Sequence, residues 1–407
     1  MDLKRHETLL DPARAMDPAR YALGGRAPMH ALRPESPDEV AEVLRAASHD
    51  RLAVVPWGGG VGLERAGAPA RYDIALDLTA LDRILEYDPE DLTMTAACGA
   101  TLATLAAAVG ARGQELPLEA PHPERATLGG TLAANASGPR RRQLGSPRDR
   151  ILGARFVLGD GTIARTGGKV VKNVAGHAVH RMLCGSRGGL AVVLEASLKL
   201  LPSPACRRAL VFALPGWALA DAARWASIPR IEPSWLTVMG REHHAVLPEV
   251  PEDDAFVVVG LEDDEPWVDR QAAIVREALG APTVTFDGPD AIALRARVTD
   301  LPHAPGAARL RFASAHVTPA ALTPLADQPW IDSAVFHAPS GGLWVATDAA
   351  AAQDAVAALD RHGFTLVEAS PHGVANPAVP PAAAIDALRA RLRAALDPHG
   401  VFAASVP

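Results

Sequence analysis

The sequence predicts an α+β fold of two lobes, and three observations carry that expectation. Glycine-rich loops follow apolar strands in the part before Pro204, whereas strands and helices alternate after it. The change of character falls on Pro202 and Pro204, two residues that punctuate regular structure. At 407 residues the chain is also too long for one ordinary domain. The expected division is therefore residues 1–204, a domain of two subdomains, and residues 205–407, an α+β domain with an open sheet.

Each element has its own signal. The stretch SPDEVAEVLRAASHD reads as a helix with a capping box: Ser36 caps, Pro37 opens the first turn and Glu39 stands at N3. Val40, Val43, Leu44 and Ala47 give it one apolar stripe. Strand LAVVP then runs directly into WGGGVG, and strands are expected at Tyr72–Leu78 and near Leu92–Ala96. Leu92 to Ala111 carries no charge and approaches the length of a membrane span. Its strand-like opening and the Gly99 break predict instead a strand, a turn and a helix at Thr101–Ala111.

Ala126–Gly138 is rich in small residues, and Ile151–Leu158 with Thr162–Thr166 alternates around Gly159-Asp160-Gly161, a hairpin signal. Beyond the boundary come strand RALVFAL, helix WALADAARWA, strand FVVVGL and a helix from Trp267 to Leu279. Strands RLRFASA and LWVAT, helix AAAQDAVAALDRHG, strand FTLVEA and helix Ala382–Leu396 complete the series.

Composition excludes several functions. A net charge of −7 argues against a general nucleic-acid binder, whose affinity rests on a basic surface. Three scattered cysteines, Cys98, Cys184 and Cys206, are too few for an iron–sulfur cluster or a disulfide framework, which favours a reducing compartment. The N-terminal residues lack the apolar core of a secretory signal. Gly159-x-Gly161-x-x-Ala164 matches the dinucleotide fingerprint as a string, but a hairpin follows where a helix must start. Gly168-Lys169 is followed by Val170, so there is no phosphate-loop Ser or Thr. His177 and His180 would share a helix face but have no local third ligand for a metal, and His243-His244 reads as a surface loop. No metal site is expected.

Three glycine-rich loops remain. The first, Pro56-Trp57-Gly58-Gly59-Gly60-Val61-Gly62, lets successive backbone N–H groups converge on an anion such as a pyrophosphate. The second, Ala126-Thr127-Leu128-Gly129-Gly130-Thr131 continuing to Asn135-Ala136-Ser137-Gly138, offers hydroxyls and an amide beside small residues. The third, Gly185-Ser186-Arg187-Gly188-Gly189-Leu190, precedes the apolar AVVLEASLKL. Each loop alone could be an ordinary turn; three in one lobe point to a nucleotide-sized cofactor. Arg140-Arg141-Arg142 reads as a solvated face, or as the source of one arginine for the cofactor or a partner.

These segments, with LDRILEYDPEDL, ATLGGTLAANASGPRR, RDRILGARFVLGDGTIARTGGKVVKNVAGH and GSRGGLAVVLEASLKLLP, resemble the FAD-binding (E-type) subunits of bacterial glycolate oxidase. These belong to the vanillyl-alcohol-oxidase family of flavoproteins, whose FAD lobe is of the p-cresol methylhydroxylase type. The resemblance is dense from about residue 30 to 205. It implies a pyrophosphate held by Gly58, Gly59, Gly60 and Gly62, flanked by Trp57 and Val61. It also implies that Thr127, Gly129, Gly130, Asn135, Ser137 and Gly138 line the flavin and ribityl region, beside Leu128, Thr131 and Arg140. The backbone at Val192 and Val193 would touch flavin or adenine. No histidine follows the glycine triplet where relatives attach FAD covalently, so a noncovalent cofactor is expected.

The departures from the family pattern are specific. Trp57 stands where Arg is usual, Val61 for Ser or Thr, and His177-Ala178 for Tyr-Asp. Gly189 and Ala191 replace Thr and Gly, and Phe402-Ala403-Ala404-Ser405 replaces Phe-Asn-Pro-Gly. The resemblance implies an FAD-dependent oxidoreductase acting on small 2-hydroxy acids, with a homologous flavoprotein subunit and an iron–sulfur subunit as partners. His177 and His372 are the local candidates for a base. A stand-alone flavin oxidase of another alcohol, or a non-catalytic FAD-binding scaffold, is the alternative. The expected location is cytoplasmic, peripheral to the inner membrane through partners, with no transmembrane segment and no nucleic acid.

Overall fold

A computed structural model describes residues 14–63, 69–168, 177–214, 231–252, 254–301, 308–313, 325, 328, 330–337, 342–347, 351–362, 364–370 and 383–403. The chain divides into two compact units. One comprises Met1–Ser137, Gly145–Ser203 and Pro381–Pro407; the other comprises Gly138–Leu144 and Pro204–Pro380. The expected break at residue 204 therefore differs from the structure in two places. The C-terminal segment returns to the first unit, and the short stretch after Ser137 belongs to the second.

The first unit opens with a four-stranded sheet of β1 (Ala15–Met16), β2 (His30–Leu32), β3 (Val54–Trp57) and β4 (Ile74–Asp77). Their order is β1-β2-β4-β3, and β4 runs parallel to both β2 and β3. Parallel strands of one sheet need a crossover, and helix α1 (Pro37–Asp50) makes it from β2 to β3, which flank β4. Val40, Ala41, Leu44 and Ala47 of α1 are buried. Ser36 Oγ accepts from Glu39 N at 3.2 Å. The Glu39 carboxylate accepts from Glu35 N at 2.8 Å, one residue earlier than a full capping box requires.

The second sheet is antiparallel, built from β5 (Ile84–Asp88), β6 (Thr93–Ala97), β8 (Ile151–Val157), β9 (Ile163–Gly167) and β10 (Val192–Lys199) in the order β5-β6-β10-β8-β9. The segment read as strand, turn and helix is β6 followed by helix α2 (Leu102–Gly110), which buries Leu102, Leu105 and Val109. No helix among the described residues is long and apolar enough to cross a membrane. The hairpin joining β8 and β9 forms with Val157 opposite Ile163. Its turn needs Gly161, at φ 83°. β7 (Gln114–Glu115), which follows α2, pairs with β11 (Leu201–Pro202), which follows β10.

The C-terminal return has a local cause. The buried Asp397 carboxylate accepts from Val401 N at 2.8 Å and Phe402 N at 2.9 Å, folding the chain back on itself. Val54 N then donates to Val401 O at 2.7 Å and Ala403 N to Val54 O at 3.0 Å, so Phe402 lies beside β3 as an added parallel bridge.

The second unit is one eight-stranded sheet with antiparallel neighbours. Its strands are β12 (Cys206–Leu214), β13 (Trp235–Met239), β14 (Ala255–Asp263), β15 (Val284–Asp287), β16 (Ala308–Ala313), β17 (Val335–His337), β18 (Gly342–Thr347) and β19 (Thr365–Ser370). They are ordered β15-β12-β14-β13-β17-β18-β16-β19. Side chains alternate between two cores. Leu210, Phe212, Val257 and Val259 pack with helices Glu265–Leu279 and Ala352–Asp360, while Val211, Phe256 and Val258 pack with helix Gly288–Asp300. A sheet covered on both faces explains why FVVVGL is a continuous apolar run. Helix WALADAARWA lies outside the described residues.

Gly138–Leu144 joins this unit through charge. Arg140, 3% exposed, pairs with the buried Glu262 at 2.9 Å. Glu262 also faces Arg207 Nε at 3.7 Å, Trp235 Nε1 at 3.3 Å and the guanidinium of Arg295. Burial alone would raise the Glu262 pKa, but the arginines outweigh it and hold the carboxyl below its ordinary range. Removing that carboxylate leaves a buried guanidinium without its counter-ion, which costs about 3–5 kcal/mol. Glu262→Ala is thus expected to lower the midpoint of denaturant unfolding of the full chain; an unchanged midpoint would contradict the ion cluster. Because the folded-state pKa is depressed, the stabilisation is present above the unfolded-state value and is lost as pH falls through the folded one.

Candidate cofactor site

The first glycine loop leaves β3 at Trp57 and meets the segment Arg125–Thr127 at van der Waals limit. A methyl group on Gly59 would come within 1.7 Å of the Arg125 carbonyl oxygen, and one on Gly58 within 2.2 Å of Thr127 Oγ1. Gly60 has φ 80°, a left-handed conformation that favours glycine. Gly62 is different: a methyl there would meet nothing within 4 Å.

The second loop is a helix where the sequence suggests only small residues. Helix α3 (Leu128–Ala134) is capped by Thr127, whose Oγ1 accepts from Gly130 N at 3.2 Å. Leu128 N and Gly129 N donate to Ala100 O and Cys98 O, both at 2.8 Å, and a methyl on Gly129 would reach 2.9 Å from Cys98 Cβ. Seven residues with two glycines are too short for a helical period to be legible. The helix stops at Asn135, at φ 48°.

The third loop rests on that stop. Gly185 N donates to Leu132 O at 3.0 Å and Arg187 N to Ala133 O at 2.8 Å. Gly188, at φ 75°, packs close enough to Pro56 that a methyl would lie 3.3 Å from its Cγ. The three loops therefore meet around α3. Val192 and Val193 follow at the start of β10, paired with Val157 and Phe156 of β8. Their side chains are buried, in two separate cores.

Two polar atoms at this place have no protein partner. Thr131 Oγ1 and Asn135 Oδ1 are shut off from solvent and unbonded among the described residues. Buried polar atoms are ordinarily satisfied; Thr131 lies in α3 and Asn135 is the residue that ends it.

Beneath the first loop lies a polar relay set in an apolar cluster. Trp57 Nε1 donates to Tyr72 Oη at 2.7 Å, and Tyr72 Oη donates to the Tyr21 carbonyl at 2.8 Å. Tyr21 Oη donates to Asp77 Oδ2 at 2.6 Å, and the Tyr21 and Trp57 rings meet edge to face at 5.1 Å. Burial and the Asp77 carboxylate push the Tyr21 hydroxyl far above its ordinary pKa, and burial does the same for Tyr72. Both phenols stay protonated and hold Trp57 inward. Ala403 packs in this same cluster.

Residues 28–167 match the family described as FAD binding domain. In the solved structures, p-cresol methylhydroxylase with substrate bound superposes with a TM-score of 0.77 at 15% identity, covering 98% of this chain and 95% of that one. Residues 28–167 thus resemble an FAD binding domain, and the chain has the fold of p-cresol methylhydroxylase. Among curated proteins it is 34% identical over 180 residues to glycolate oxidase subunit GlcD of Bacillus subtilis, 44% of this chain and 38% of that protein. It is 47% identical over 130 residues to glycolate oxidase subunit GlcE of Escherichia coli, 32% of this chain and 37% of that protein. The matched stretches thus span less than two-fifths of these relatives' lengths.

The residues of the site fit an FAD: glycine backbone that reaches the surface without side chains, and the buried, unbonded Thr131 Oγ1 and Asn135 Oδ1 at and just after α3. Gly58–Gly62, Thr127–Thr131, Asn135 and Ser137 lie in the first unit with Val192 and Val193. Gly138 and Arg140 belong to the second unit, where the Arg140 guanidinium is engaged with Glu262. Arg141 and Arg142 are exposed.

The candidate bases are not gathered here by any described contact. His177 is exposed, ahead of helix Val179–Leu183. His180 is buried with Nδ1 3.2 Å from Thr166 Oγ1, and burial lowers its pKa, which keeps it neutral. No three His, Cys, Asp or Glu residues gather as a metal site among the described residues. His372, Ala404 and Ser405 lie outside them, as does KNVAG. His243 and His244 are not in a loop but in a 3-10 helix, bonded to Ser333 O and Val250 O. Burial raises the Cys98 thiol and pushes Cys184 up to about 11, so neither is a ready thiolate.

Gly59 and Gly62 separate two roles that the sequence merges. A side chain at Gly59 collides with the Arg125 backbone, so Gly59→Val is expected to disrupt the loop itself. Gly62→Val enters open space and is expected to leave thermal unfolding unchanged while weakening FAD binding by about tenfold or more, or ~1.4 kcal/mol. A stable Gly62→Val protein with full FAD affinity would remove Gly62 from the cofactor site.

Proposed function

We propose that the chain binds one FAD noncovalently in its first unit and serves as the FAD-binding subunit of an oxidase of small 2-hydroxy acids. Substrates of the glycolate and D-lactate class would be converted to 2-oxo acids. The observation that carries the cofactor reading is the meeting of three glycine loops around α3, with Thr131 Oγ1 and Asn135 Oδ1 buried and unbonded among the described residues. The names of the relatives, glycolate oxidase subunits, support the substrate class.

Bound FAD supplies the two-electron acceptor that side chains lack. The chain's own contribution is position: Gly58–Gly62 would present backbone N–H groups to the pyrophosphate. Thr131 and Asn135 would hydrogen-bond the cofactor from α3 and its C-terminal stop. Noncovalent attachment is favoured by the loop itself, since Gly58–Leu63 carries no histidine. Acid precipitation of the yellow protein is expected to release all flavin into the supernatant, and colour left in the pellet would overturn this.

Removing hydrogen from a CH–OH carbon needs a base and a carboxylate clamp around one small molecule. Ala403, without a polar side chain, is buried beside Trp57 at the position where the sequence departs from its family. His180 is committed to Thr166. These observations favour a chain that depends on a homologous flavoprotein subunit for efficient turnover, and on an iron–sulfur subunit to carry electrons onward. Anaerobic mixing of the FAD-loaded chain with glycolate and with D-lactate is expected to bleach the flavin slowly alone and rapidly with partners present. Rapid bleaching by the isolated chain, abolished by His177→Ala or His372→Ala, would make this chain the catalyst.

A further inference from the structure

A pyrophosphate brings negative charge into a loop that has none to offset it. Pro56–Leu63 contains no cationic side chain, and its largest side chain, Trp57, is turned into the core. Backbone N–H groups give partial charges only. Arg125 brings a guanidinium to the loop from the neighbouring segment. Its Nη2 donates to Gly59 O at 3.3 Å and lies 3.9 Å from where a methyl on Gly60 would be.

The placement of Arg125 is fixed by its own backbone. Arg125 N and Ala126 N both donate to His122 O, at 2.8 and 2.7 Å, closing a tight turn. His122 takes φ 50° in that turn, a left-handed conformation that costs energy for a residue with a side chain. The same turn presses the Arg125 carbonyl against Gly59. The residue is solvent-exposed, so its charge is carried without a burial penalty. It also stands two residues ahead of the Thr127 cap of α3, between the loop and the helix that the cofactor would share.

We propose that Arg125 is a cofactor-binding residue that supplies the positive charge for the FAD pyrophosphate. This rests on the FAD reading above. A guanidinium matches phosphate oxygens with paired N–H donors, and charge-assisted bonds of this kind exceed neutral ones. The bond to Gly59 O serves to aim the group across the loop.

The test separates charge from scaffolding. Arg125→Gln keeps a donor for Gly59 O but removes the charge; Arg125→Lys keeps the charge. FAD dissociation constants of the full-length apoprotein are measured by flavin fluorescence quenching at low and high salt. Loss of a charge-assisted bond is expected to weaken FAD binding about 10- to 100-fold in Arg125→Gln. Arg125→Lys is expected to stay within a few-fold of the wild type, and salt to weaken the wild type more than Arg125→Gln. Thermal unfolding of the apoproteins should coincide. A wild-type affinity in Arg125→Gln, with the wild type binding FAD, overturns the role of Arg125 and leaves the FAD reading intact. A wild type that binds no FAD fails that reading instead.

Discussion

The contact of the Arg125 carbonyl with Gly59 is the constraint on which the site depends. Two backbone segments approach so closely that no side chain fits between them, and this fixes the first loop against the entry to α3. That contact sets the Thr127 cap beside the loop, and α3 runs from the cap to the left-handed stop at Asn135. The third loop then docks on the same stop and on Pro56. A glycine here is thus a packing requirement first, and only by consequence a way to bring backbone to a ligand.

Two of the departures from the family pattern come together in space. Trp57 and Ala403 share a cluster with Tyr21 and Tyr72, and the added bridge of Phe402 on β3 brings Ala403 there. A large indole is bonded to Tyr72 in the same cluster as a small alanine. The C-terminal turn at Asp397 therefore supports the strand that launches the glycine loop. The cost of turning Trp57 inward is a first loop with no charged side chain of its own, which gives the neighbouring Arg125 its importance.

Much of the fold was legible because it follows local rules. The capped helix α1, the β8–β9 hairpin and the break at Gly99 each announce themselves within a dozen residues. Strand β5 was not foreseen: it is an edge strand with Leu85 exposed, so it lacks clean alternation. Helix α3 was hidden by its two glycines. The division of the chain into its units is not legible locally because its causes are long-range, an ion pair from Arg140 to Glu262 and strand addition from Phe402 to Val54. In the site, glycines and small polar residues could be read off directly. Tyr21, Tyr72 and Arg125 could not, since nothing in the local sequence relates them to residues 57–60.

The central claim is that the three glycine loops form one cofactor site around α3. Amide hydrogen exchange of the full chain, with and without FAD, tests it most directly. The account predicts that FAD slows exchange together in 58–62, 127–135 and 185–190, with little change across β12–β15. Protection confined to one loop, or located in the eight-stranded sheet instead, would contradict it.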